Sequence, residues 1–129
     1  AFKAAVWSLL PGALPEGENA WERLEQADLI GENANIRLTH LVHIIAAYSK
    51  GDMERVRAVI KRHAEKIAET PPLLQYRLLD AAATEGITRV SDRMWTEAVG
   101  HRTPVGQLGT FWDENAADDI DTVDLDDLF

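Results

Sequence analysis

The sequence contains no cysteine. Disulfide bonds, thiolate nucleophiles and zinc or iron–sulfur sites built on cysteine are therefore excluded. No apolar stretch approaches the roughly 20 residues that a membrane-spanning helix requires. The apolar run within residues 1–10 has neither the length nor the small-residue cleavage site of a secretory signal. We therefore expect a cytoplasmic protein that makes no contact with a membrane.

Recognisable catalytic motifs are also missing. None of the three serines lies in a Gly-x-Ser-x-Gly elbow. The chain has neither the phosphate-binding loop Gly-x-x-x-x-Gly-Lys nor the dinucleotide-binding pattern Gly-x-Gly-x-x-Gly. We therefore expect neither enzymatic activity nor a bound cofactor.

The chain does have the composition of a globular protein. Hydrophobic residues make up 46% of its 129 residues and charged residues 27%, which is ordinary for a folded domain. A chain of this length folds as one domain and can bury a substantial core.

The most apolar segment runs from Leu38 to Tyr48, where only Thr39, His40 and His43 are polar. A helix with apolar residues on nearly all sides is buried on most of its surface. The segment therefore predicts the central helix of a bundle, around which the other helices pack.

Apolar spacing together with glycine and proline predicts five further helices, at residues 2–10, 19–30, 52–69, 71–85 and 88–99. No segment has the alternating pattern of a strand. The prediction is an all-α protein, a compact bundle of five to six helices over residues 1–112, followed by an acidic tail at residues 113–129.

The ends of these helices follow from their capping residues. Glycine favours helix C-termini, so Gly31 and Gly86 are predicted to end the second and fifth helices. Serine, threonine, aspartate and asparagine favour N-termini, and the predicted N-caps are Asn33 or Asn35, Asp52, and Thr70. In the fifth helix, we expect the core-facing side chains to be Leu74, Leu78, Ala81 and Ala82.

Two histidines, His40 and His43, lie three residues apart on the central helix, a spacing that a metal site can use. A site needs a third and a fourth ligand, and the sequence offers none nearby at helical spacing. We therefore expect two histidines at the edge of the core, with local hydrogen bonds, and no metal.

A basic stripe on the fourth helix is formed by Arg55, Arg62 and Lys66. It is a candidate contact for an acidic peptide or for phosphate groups. The alternative is a solvated face whose cations pair with neighbouring acids on the same helix, Asp52, Glu54, Glu65 and Glu69.

Residues 82–95 resemble a helix-turn-helix motif, with Ala82 and Gly86 at the motif's separation and Ile87 following them. The resemblance implies that Arg89, Arg93 and Arg102 would face DNA. The alternative is two packed helices joined at a glycine cap.

The C-terminal segment holds most of the net charge of −9. Residues 1–112 contain 14 acidic and 13 basic side chains, whereas residues 113–129 contain eight acidic and no basic ones. Apolar side chains alternate with these acids and are the candidate partner-binding residues: Ile120, Val123, Leu125, Leu128 and Phe129. Such mixed segments are typical of interaction peptides, because charge speeds the encounter and apolar groups hold the complex.

This tail is similar to the acidic C-terminal tips of bacterial and phage single-stranded DNA-binding proteins and to acidic activation segments. The resemblance implies docking on a basic, partly apolar protein surface. It does not extend to the bundle, since the DNA-binding domain of those proteins is a β-barrel. The alternative is a charged, solvated terminus.

These observations predict a non-enzymatic adaptor, regulatory or assembly protein that binds a protein partner or itself through its bundle and its tail. One alternative is a nucleic-acid-binding helical protein whose tail competes internally with the ligand. Another is an inhibitor that mimics nucleic acid, or a viral accessory or virion component.

Overall fold

The computed structural model describes residues 2–10, 12, 19–34 and 36–114. Over these ranges the chain is all-helical, with no strand. The helices are α1 (Phe2–Leu9), α2 (Ala20–Asn33), α3 (Leu38–Ser49), α4 (Met53–Glu69) and α5 (Arg77–Val99), with a single 3₁₀ turn (Leu74–Tyr76) before α5. The predicted all-α bundle is confirmed. None of these helices is both long enough and apolar enough to cross a bilayer.

The central position of α3 is confirmed, because α3 contacts each of the other four helices. Its core side chains include Ile44 and Ala47, both fully buried. They pack in one cluster with residues of α4, α5 and the chain after α5, namely Val56, Val59, Ile60, Ile87, Met94 and Phe111.

The hairpin between α3 and α4 forms at Gly51, whose φ of 74° suits a residue without a side chain. Asp52 caps α4 as predicted, since its Oδ1 accepts a hydrogen bond of 3.1 Å from the backbone N–H of Arg55. The α4 face centred on Val56, Ile60 and His63 is buried, which agrees with the apolar spacing along this helix.

The predicted break at Gly86 is wrong, because α5 continues through it. A Cβ atom built on Gly86 would lie 2.9 Å from both Cδ atoms of Leu41 on α3. The glycine therefore permits a close approach of α3 and α5. Residues 82–95 form one helix, which excludes the helix-turn-helix interpretation.

The end of α2 and the start of α3 also differ from the prediction. Gly31 is helical, and a Cβ there would lie 2.5 Å from the carbonyl oxygen of Ile36 and 2.7 Å from Oγ1 of Thr39. Asn33 is the last residue of α2, while Asn35 lies outside the described residues. The N-cap of α3 is Arg37, which makes no side-chain capping bond.

The predicted start and inner face of the fifth helix are wrong. Thr70 is the C-cap of α4, and α5 begins at Arg77. The four expected core residues are exposed, with Leu74 and Leu78 at 81% each and Ala81 and Ala82 also open to solvent. The buried face of α5 instead consists of Asp80, Ala83, Ile87, Ser91, Met94 and Trp95.

After α5 the chain returns along α4 and closes the core. Phe111 is fully buried, and Gly109 lies against Ala64 of α4. The indole N–H of Trp95 donates a hydrogen bond of 3.2 Å to the carbonyl oxygen of Thr110. The irregular segment after α5 is therefore fixed to the bundle by the buried Phe111 side chain and by a hydrogen bond to its backbone.

Candidate functional site: a groove between α4 and α5 above a buried histidine chain

A large concavity lies between α4 and α5. It consists of two adjoining cavities of about 710 and 480 Å³ that share Ile67, Thr84, Thr88 and Asp92. We call their combination the α4–α5 groove. One end is bounded by Pro72 and Arg77, and the other by the loop that starts at Arg102.

Behind the groove, a hydrogen-bonded chain of four side chains runs through the core. The hydroxyl of Thr84 lies 2.9 Å from Nε2 of His63, and Nδ1 of His63 lies 3.0 Å from Nδ1 of His40. Nε2 of His40 lies 2.9 Å from Oε1 of Glu32. Both imidazoles are fully buried.

The protonation pattern of this chain follows from its acid end. The Glu32 carboxylate only accepts, so Nε2 of His40 carries the proton and its Nδ1 accepts. His63 must then donate from Nδ1, which leaves its Nε2 to accept from the Thr84 hydroxyl. Each ring in this arrangement has both nitrogens paired, and all donors point towards Glu32.

The same burial makes His63 hard to protonate. The pKa of His63 is lowered from 6.5 to about 4, mainly by removal from water and then by the neighbouring His40, against an opposing contribution from Asp80. His63 is neutral near pH 7. An efficient general base has a pKa close to the working pH, so the arrangement favours a structural role for the chain.

A second buried pair joins α2 to α3. Nδ1 of His43 lies 2.6 Å from Oδ2 of Asp28, and both side chains are fully buried. His40 and His43 are hydrogen-bonded, as predicted, but both are fully buried and not at the edge of the core. Their partners lie on α2 and α4, so the hydrogen bonds are not local. Within the described ranges, no group of three or more histidine, aspartate or glutamate side chains could hold a metal ion.

A buried ion pair connects the start of α3 to α5. Nε and Nη2 of Arg37 lie 2.8 and 2.6 Å from Oδ2 of Asp80, and the Arg37 backbone N–H donates to Oδ1 at 3.2 Å. Nη1 of Arg37 donates to the carbonyl oxygens of Lys66 and Thr70 at 2.7 and 2.6 Å. Arg37 thereby ties the end of α4 to α5. Arg37 was not among the residues that the sequence indicated as functional or structural.

The basic stripe on α4 already has intramolecular partners. Arg62 lies 3.0 Å from Glu25 and 3.4 Å from Asp28, whereas Arg55 lies 3.2 Å from Asp52 and 3.4 Å from Glu25. Lys66 pairs with Glu69 at 3.6 Å. Contact of these three cations with an acidic peptide or phosphate stays a prediction.

The first two residues of the acidic tail contact a different part of α4. Nη1 of Arg57 donates to both carboxylate oxygens of Asp113, at 2.9 and 2.8 Å, and Lys61 forms an ion pair with Glu114. The hydrogen bond from Arg57 lowers the pKa of Asp113. The guanidinium of Arg57 also lies 4.7 Å from the ring centroids of Phe111 and Trp112, a cation–π geometry.

The five candidate partner-binding residues of the tail, from Ile120 to Phe129, lie outside the described residues. Their role and the domain boundary at residue 113 stay predictions. What the structure adds is the place where the tail leaves the bundle, beside Lys61 on α4.

A surface of four leucines surrounds the start of α5, and we call it the leucine surface. Its members are exposed by 40–81%: Leu73, Leu74, Leu78 and Leu79. Single exposed leucines are common, whereas apolar patches mark interaction sites, and these four lie within seven residues of the chain. Leu74 and Leu78 were predicted to lie in the core.

A comparison of the chain with protein-family models, with curated proteins and with solved structures found no match.

Proposed function

We propose that this chain is a non-enzymatic interaction protein, an adaptor, regulatory or assembly component that docks a protein partner through its helical bundle and its acidic tail. The observation that carries the proposal is the leucine surface. Leu74 and Leu78 are each 81% exposed although they stand in or beside regular helix.

The energetics favour a partner at this surface. Full burial of a leucine side chain stabilises a complex by about 1.5–3 kcal/mol relative to exposure. Neighbouring leucines can therefore form the apolar centre that stable interfaces contain. The 3₁₀ turn and the first turn of α5 present them on regular backbone, so little ordering is needed on binding.

Nucleic-acid binding has weaker support. Arg55 and Arg62 face carboxylates of α2, which compete with phosphates for the same cations. Arg89, Arg93 and Arg102 were expected to face DNA because residues 82–95 resemble a helix-turn-helix motif. Residues 82–95 instead form one continuous helix, which removes the reason for that expectation.

The test replaces both highly exposed leucines with glutamate, as Leu74→Glu with Leu78→Glu. The matched control adds the same charge at exposed positions remote from this surface, as Ser49→Glu with Ala98→Glu. Sedimentation velocity measures self-association, and quantitative co-purification from cells that produce the chain measures partner binding. Circular dichroism checks that both variants fold.

We expect the leucine variant to lose its partner or to fall to a lower association state, while the control behaves as the unmodified chain does. Identical association states and identical bound proteins for all three forms would contradict the proposal.

A further inference from the structure

We propose that residues 115–129 of the tail dock in the α4–α5 groove of the same molecule. This inference rests on the proposed function in one respect, since it treats the tail as a protein-binding segment. It adds the receptor site, and it implies that a partner of the tail must compete with the groove.

The tail begins on the helix that forms one wall of the groove. Glu114 is paired with Lys61, and Asp113 with Arg57 one turn earlier on α4. Ala64 and Ala68 follow Lys61 by three and seven residues, which places them on the same helical face. Both line the α4–α5 groove. At 1.5 Å per residue, Ala68 lies about 10 Å along the axis from Lys61.

The tail is long enough to span the groove. Ile120, the first large apolar residue of the tail, follows Glu114 by six residues, which span up to about 20 Å when extended. It can therefore reach Ile67 in the middle of the groove. The full segment of 15 residues spans up to about 50 Å, enough for Leu125 and Leu128 to reach the end of the groove at Arg77.

The ends of the groove carry positive charges that can pair with the acidic tail. Among the described residues, no carboxylate lies within ion-pair distance of Arg77 or Arg102, one at each end of the groove. The acidic side chains of the groove are engaged: Asp80 binds Arg37, Glu85 binds Arg89, and Asp92 accepts the Thr103 backbone N–H. Arg77 and Arg102 are therefore the cations of the groove that can pair with carboxylates of the tail.

Both the groove and the tail combine apolar and charged side chains. The walls combine Ile67, Pro72 and Ala81 with Arg77 and Arg102. An extended peptide directs successive side chains to opposite sides, so Val123, Leu125 and Phe129 would share one side and Asp124 and Asp126 the other. Those three apolar groups can thus enter the groove while the two aspartates remain near its cationic rim.

The absence of cysteine permits a direct test. Asp126→Cys introduces a single thiol that carries a nitroxide label and leaves every apolar tail residue in place. Paramagnetic broadening is measured on the ¹⁵N-labelled chain, with a diamagnetic label as reference. We expect a loss of amide intensity at groove residues such as Ala68, Thr84 and Thr88, with α1 unaffected.

Two further samples identify the contacts. Arg77→Ala with Arg102→Ala should restore the groove intensities, whereas the control Arg93→Ala, an exposed arginine of α5 outside the groove, should leave them broadened. A mixture of ¹⁵N-labelled, unmodified chain with nitroxide-labelled, ¹⁴N chain reports docking between molecules.

Broadening centred on Arg55 and Arg62, broadening with no localisation, or broadening only in the mixed sample would each overturn the proposal. The leucine-surface experiment has a separate readout. Loss of association in the leucine variant together with an empty groove would retain the proposed function and reject the intramolecular site.

Discussion

At the scale of single residues, the core of this protein is unusual in its buried polar groups. His40, His43, His63 and Asp28 are fully buried, and Arg37 and Asp80 nearly so. Burial of such groups is tolerated only when they are hydrogen-bonded or paired. Each of these side chains has at least one such partner within the bundle. Changes of protonation should therefore act directly on stability.

Acid should weaken the fold through His63. Its pKa is about 4 in the folded chain and 6.5 in the unfolded chain, so between these values the unfolded chain binds more protons and stability falls as pH falls. We expect His63 to contribute a loss of roughly 2 kcal/mol between pH 7 and pH 5. Urea unfolding at a series of pH values measures it.

The variant His63→Gln should show a shallower pH dependence over this range, although its stability at pH 7 is lower. The control is His101→Gln, which removes an exposed histidine and should retain the dependence. Equal pH dependence in the His63 variant and the unmodified chain would show that His63 is not the responsible group.

At the scale of helices, the distance between α3 and α5 depends on Gly86. Glycine within a helix costs about 1 kcal/mol relative to alanine, yet Gly86 lies in the middle of a 23-residue helix. The gain that offsets this cost is the contact with Leu41, whose Cδ atoms occupy the space of a Cβ. Local sequence preference and tertiary packing therefore oppose each other here, and packing prevails.

Gly86→Ala should lower the free energy of unfolding, because overpacking of about 1–3 kcal/mol exceeds the gain in helix propensity. In the background Leu41→Ala the clash is absent, and the same change should stabilise by up to about 1 kcal/mol. The four stabilities form a double-mutant cycle, measured by urea unfolding. A stabilising Gly86→Ala in the unmodified background would show that the Leu41 side chain moves aside at little cost.

At the scale of the whole molecule, the fold is closed by the segment after α5. Phe111 is fully buried among residues of α3, α4 and α5, and Arg57 and Lys61 lie over its ring. This segment has no regular secondary structure, yet it completes the core and positions the start of the tail on α4.

Phe111→Ala should destabilise the protein by about 3–5 kcal/mol, the usual cost of removing a buried aromatic ring. Leu74→Ala also removes a large apolar side chain, but from a position that is 81% exposed, and should change stability by no more than about 0.5 kcal/mol. Chemical denaturation measures the free energy of unfolding of each variant. Similar losses would refute the assignment of Phe111 to the core and Leu74 to the surface.

Much of the architecture was predictable from local signals. The apolar residues of α3 required burial on most sides, and the N-cap Asp52 marked the start of α4 because capping preferences act within a few residues. The hydrogen bonding of His40 and His43 was predicted, but their partners were not. Glu32, Asp28 and His63 are distant from them in sequence or lie on other helices, so helical spacing carries no information about them.

The sequence by itself determined the helical class, the central helix and the division between a near-neutral bundle and an acidic tail, since these follow from composition and periodicity. Only the tertiary structure decided which face of α5 is buried. The pairing of Arg37 with Asp80 turns Asp80 inwards and leaves Leu74 and Leu78 in solvent. A buried cation requires its partner more strongly than a leucine requires the core, and that preference is visible only once α3 and α5 are brought together.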